Sequence, residues 1–88
     1  MYGAVMGNQN ISPVVLVVED AIFVRNFVMI ALSTMGISKI REATNGVEAL
    51  EILNKEKIDI VLSDWHMPEM EGIDLLKTMR ADENFKDI

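Results

Sequence analysis

Residues 58–72 read IDIVLSDWHMPEMEG. The stretch begins as a nearly all-apolar run broken only by Asp59, stops on Asp64, and then sets Trp65-His66, Met67-Pro68 and Gly72 in quick succession. A short apolar run bounded by turn signals reads as a strand buried on both faces, and such strands belong to parallel sheets. Ligands of open parallel sheets bind beyond the carboxyl ends of the strands, which is where this run places its acid.

Working outward, Val14–Val18 is a second run of this kind, held between Pro13 and the acidic pair Glu19-Asp20. Residues 21–35 carry Phe23, Phe27, Ile30, Ala31 and Met35 in helical spacing and stop at Gly36, a good C-terminal cap. Arg25 is the one charge of that helix, so most of its circumference calls for a cover. Lys39–Ala43 is a shorter, more polar strand. Asn45 and Glu48 then fit a capping box opening a helix that runs to about Lys55. Residues 73–80 return to helical spacing through Ile73, Leu76 and Met79, and the polar residues 81–88 read as a loop. Residues 1–13, with their Gly and Asn and a closing Pro, read as a flexible lead-in, leaving 14–88 as one unit. The order β-α-β-α-β-α specifies an α/β fold: a parallel sheet with right-handed crossovers and helices on both faces.

The totals narrow the function. A chain of 88 residues with 14 acids against 8 Lys and Arg carries a formal charge of −6, which repels a nucleic-acid backbone. There is no Cys for disulfide, thiolate or zinc-thiolate chemistry, no apolar run of membrane-spanning length, and no secretory pattern at Met1-Tyr2-Gly3. The expectation is a soluble cytoplasmic protein that touches neither nucleic acid nor membrane.

If the first and third strands are neighbours, Glu19, Asp20 and Asp64 converge on one patch. An acid just past a strand is most often a helix cap, and Asp20 before Ala21 fits that role. Three acids at two strand ends are harder to explain as caps, because like charges placed together repel. Mg²⁺ suits such a group, taking one or two carboxylates and keeping waters for other oxygens. Asp64 also has the chemistry of a nucleophile that forms an acyl phosphate.

VLVVED, ATNGVEAL, VLSDWHMPEMEG and DLLKTMRAD together resemble the receiver domain of two-component response regulators, of the chemotaxis type, over residues 14–88. The resemblance implies a flavodoxin-like sheet with strand order 2-1-3 in its first three βα units. It implies Asp64 as phospho-acceptor, Asp20 as direct Mg²⁺ ligand beside Asp64, Glu19 acting through metal-bound water, and the backbone carbonyl of His66 as the third protein ligand. The His66 side chain is then dispensable. Met67-Pro68 turns the chain from the metal, Gly72 permits close passage into the third helix, and Trp65 borders the site or packs as a partly exposed aromatic. The phosphoryl donor implied is a sensor histidine kinase, the output a downstream protein target, and the protein is a signalling module rather than an enzyme.

Receiver domains have five βα units, and the motif series here stops after three. The Ser or Thr that senses the phosphoryl group after strand four, and the Lys after strand five, have no counterpart in this sequence, so the chain reads as truncated and its switch as incomplete. Two readings follow: a phospho-accepting signalling module, or a receiver fragment that acts by self-assembly without phosphorylation. A hydrolase or transferase is a weaker third, since no general base, oxyanion Lys or substrate pocket can be named. Truncation is expected to bare the edge of strand 58–63 and part of the first helix, and so to drive a homodimer or higher oligomer through one of them.

Overall fold

The structure, a computed structural model, describes the backbone of residues 2–6 and 72–73, and residues 13–64 and 74–88 in full. Four strands and three helices follow in the order β1 (Tyr2–Met6), β2 (Val14–Val18), α1 (Ile22–Thr34), β3 (Lys39–Ala43), α2 (Gly46–Lys55), β4 (Ile60–Asp64) and α3 (Gly72–Ala81). The sheet order is β1-β4-β2-β3. Its three parallel strands stand as the sequence implies, with β2 central, Val14 level with Lys39 on β3 and Val15 level with Ile60 on β4.

Central placement explains why β2 is apolar at every position. Val15, Leu16, Val17 and Val18 have no exposed surface, and each such burial contributes roughly 1.5–3 kcal/mol. Successive side chains leave a strand on opposite sides. Leu16 and Val18 therefore join Ala49 and Leu53 of α2 and Leu75 and Met79 of α3, whereas Val15 and Val17 meet Leu32 of α1. Helices do cover both faces, one on the second face and two on the first.

The helix ends follow local chemistry. α1 closes in a Schellman arrangement: Ile37 N–H donates to Leu32 O at 3.1 Å and Gly36 N–H to Ser33 O at 3.0 Å. Gly36 sits at φ 88°, a left-handed position that favours glycine. At the start of α2 the Asn45 side chain accepts from Glu48 N–H at 2.8 Å, while the Glu48 carboxylate accepts from Thr44 N–H at 2.9 Å, one residue before the cap. That bond holds the Glu48 carboxyl below the usual range.

Three features depart from expectation. The lead-in expected to be flexible contributes β1, which pairs antiparallel with β4 from Tyr2 opposite Asp64 to Met6 opposite Ile60. The β4 edge expected to lie bare is thus hydrogen-bonded within the chain. The polar tail after α3 also packs: Phe85 is buried and Ile88 rests against the core beside it. Finally, Asp59 lies just ahead of β4 rather than inside it. Its Oδ2 accepts from Val14 N–H at 2.9 Å and its own N–H donates to Val14 O at 2.9 Å, which ties the start of β4 to the start of β2.

Candidate functional site

Parallel pairing of β2 with β4 builds the site. Their register runs to Val18 opposite Ser63, so the next step of each strand brings Glu19 beside Asp64 at the carboxyl end of the sheet. Ligand oxygens of Glu19, Asp20 and Asp64 lie within 4.8 Å of one another, with Glu19 buried, Asp64 half-buried and Asp20 exposed. The convergence inferred from the two strand ends is therefore present in the fold.

The simpler reading of Asp20 as a helix cap does not describe this arrangement. The N-cap position of α1 is Ala21, without a side-chain cap, and it is Glu19 Oε2 that accepts from Ala21 N–H, at 3.1 Å. Glu19 N–H donates to Ala43 O at 3.0 Å, extending the β2–β3 ladder one step beyond β2. The Glu19 backbone is thereby fixed on one side by β3.

Arg25 fixes it on the other. Its Nη1–H donates to Glu19 O at 2.9 Å and its Nε–H to Glu42 Oε1 at 2.9 Å, in a largely buried position one turn into α1. Sequence reasoning counted Arg25 only as the lone charge of an apolar helix. The available signal was its position: a single cation one turn after an acidic pair can fold back on that pair's backbone. On β4, the Ser63 hydroxyl donates to Asp64 O at 2.9 Å.

Three carboxylates whose ligand oxygens lie within 4.8 Å of one another form an all-oxygen, all-anionic donor set, which suits a hard divalent ion rather than a soft one. The residues present therefore fit Mg²⁺. Trp65, His66, Met67 and Pro68, expected to line the same site, lie outside the described residues, and α3 begins at Gly72, one residue earlier than the helical spacing predicts.

The chain is 44% identical over 72 residues to the chemotaxis protein CheY-3 of Vibrio cholerae, covering 82% of this chain and 55% of that one. It is 43% identical over 74 residues to the chemotaxis protein CheY1 of Helicobacter pylori, covering 83% and 60%. The chain thus spans little more than half the length of these relatives. Among solved structures, the chemotaxis response regulator CheY4 of Vibrio cholerae superposes with a TM-score of 0.79 at 33% identity, covering 85% of this chain and 62% of that one. A response regulator receiver protein of Pseudomonas putida gives 0.75 at 29% identity, covering 90% and 65%. The profile of the response regulator receiver domain matches residues 15–88, and the chain belongs to that family.

Proposed function

We propose that this chain is a phospho-accepting signalling module of the chemotaxis type, taking a phosphoryl group from the phosphohistidine of a sensor histidine kinase onto Asp64 in the cytoplasm and acting on a downstream protein target. The observation that carries the proposal is the convergence of Glu19, Asp20 and Asp64 at the carboxyl end of two parallel strands in a receiver fold.

In this reading a carboxylate oxygen of Asp64 attacks phosphorus in line with the departing imidazole nitrogen. The P–O bond forms as the P–N bond breaks, and the electron pair leaves with the imidazole; the product is an acyl phosphate. Asp20, Asp64 and the backbone carbonyl of His66 would hold Mg²⁺, with Glu19 reaching it through water. Bound there, the ion neutralises charge on the transferring phosphoryl oxygens. The chain's own contribution is positional. Arg25 and the β3 ladder hold the Glu19 backbone, and the β2–β4 pairing sets Asp64 against it, so the acids meet without local rearrangement. Trp65, Met67 and Pro68 follow Asp64 directly, and we assign them to the rim of the site.

Mg²⁺ titration followed by Trp65 fluorescence tests the metal half of the proposal. Saturable quenching that Asp20→Asn weakens at least tenfold is the expected result, and a signal indifferent to Mg²⁺ contradicts it.

A further inference from the structure

Asp20 is the one exposed acid of the three, so packing does not set the direction of its side chain and its backbone must. That backbone is pinned on both sides. Glu19 N–H, ahead of it, donates to Ala43 O at 3.0 Å, and Ala21 N–H, behind it, donates to Glu19 Oε2 at 3.1 Å. The two carbonyls that flank Asp20 are both taken by one residue. Arg25 N–H donates to Ala21 O at 2.9 Å, the first backbone bond of α1, and Arg25 Nη1–H donates to Glu19 O at 2.9 Å. A carbonyl and the nitrogen that follows it lie in one rigid peptide plane, so holding Glu19 O holds the plane from which the Asp20 side chain departs.

On the reading of these acids as a Mg²⁺ site, we infer that Arg25 is its positioning residue. By stapling the carbonyls on either side of Asp20, it aims the Asp20 carboxylate at the space shared with Glu19 and Asp64. Geometry explains why the residue is an arginine. Its planar fork reaches the Glu19 carbonyl through Nη1 and the Glu42 carboxylate through Nε, each at 2.9 Å, where a lysine has one nitrogen for both. The Glu42 pair also disposes of the charge. A bare cation beside three carboxylates would compete with a divalent ion for them, but this guanidinium is matched by an acid of β3 and gives the site only a hydrogen bond. The Arg25 side chain is 11% exposed, so its bonds are made largely out of water, where they orient their partners more strongly.

Mg²⁺ titration by Trp65 fluorescence, on the full 88-residue chain with folding checked by circular dichroism, provides the test. Arg25→Lys keeps the charge and loses the fork. It is expected to bind Mg²⁺ about tenfold more weakly than wild type, the loss that follows removal of a group behind a metal ligand. Arg25→Met keeps the length without any donor and should lose at least as much, so either variant serves if the other does not fold. Glu42→Gln keeps an acceptor for Nε and removes only the charge, and it should change the affinity by less than about twofold. In an Asp20→Asn background, Arg25→Lys should add less than about twofold, because the ligand through which it acts is already lost. Wild-type affinity in folded Arg25→Lys or Arg25→Met overturns the inference. So do losses that multiply in the double variant, or a Glu42→Gln loss as large as that of Arg25→Lys. A wild-type chain indifferent to Mg²⁺ overturns the metal reading and the role of Arg25 with it, an outcome distinct from the others.

Discussion

The two faces of the central sheet are built from the same strand and finished differently. On the Leu16–Val18 side, α2, α3 and the tail through Phe85 form a continuous layer in which Leu75 and Met79 are almost wholly enclosed. On the Val15–Val17 side, α1 is the one helix among the described residues, and Leu32 is its one buried residue. The apolar content of α1 is high, but it is spread round the helix instead of gathered on one stripe. The comparison shows that the hydrophobicity of a helix reports how much of its surface calls for cover, while the angular distribution reports on how many sides.

The largest effects should come from breaking the well-covered face. Leu16→Ala removes a fully buried side chain from the enclosed cluster and is expected to cost about 2–5 kcal/mol in urea unfolding. Phe85→Ala should cost about 3 kcal/mol by the same mechanism, which would establish the tail as part of the core. The matched substitution on the other face, Phe23→Ala, is expected to shift the unfolding of dilute protein by less than about 0.5 kcal/mol. Equal losses at Phe85 and Phe23 would dissolve the contrast between the faces.

Smaller effects sharpen the same contrast at the helix starts. α2 opens on the Asn45 side-chain cap, whereas α1 opens at Ala21 with none. Asn45→Ala should therefore cost about 1 kcal/mol in thermal or urea unfolding. The smallest is a pH effect. Because the folded Glu48 carboxyl is held below its unfolded value by the Thr44 N–H, its contribution is complete above the ordinary carboxylate range and is lost as pH falls through the depressed folded value. Glu48→Gln should flatten the acid limb of a melting-temperature profile and leave the α1 substitutions unaffected.

These contrasts also mark what the sequence made legible. β2 and β4 could be read because two-faced burial leaves an apolar run, and the convergence of Glu19, Asp20 and Asp64 could be read because these acids close those runs. The Asn45 cap and the Gly36 stop carry their own local chemistry. β1 was not readable in this way. YGAVM is short, rich in small residues and without alternation, and it becomes a strand only by pairing with β4 nearly sixty residues along the chain. Phe85 was missed for a related reason, since one aromatic in a polar tail has no periodicity to reveal the core it joins. Arg25 looked like surface charge because its partners, a backbone carbonyl and a glutamate on another strand, meet it only through the fold.

The proposed role of Asp64 as phospho-acceptor rests on the acids that β2 and β4 bring together. Intact-mass measurement after incubation with Mg²⁺ and a small acyl-phosphate donor tests it most directly. A single phosphoryl adduct is expected on the wild-type chain, absent without Mg²⁺ and absent in Asp64→Asn. An unmodified mass at saturating donor and metal, or an adduct that persists in Asp64→Asn, would contradict it.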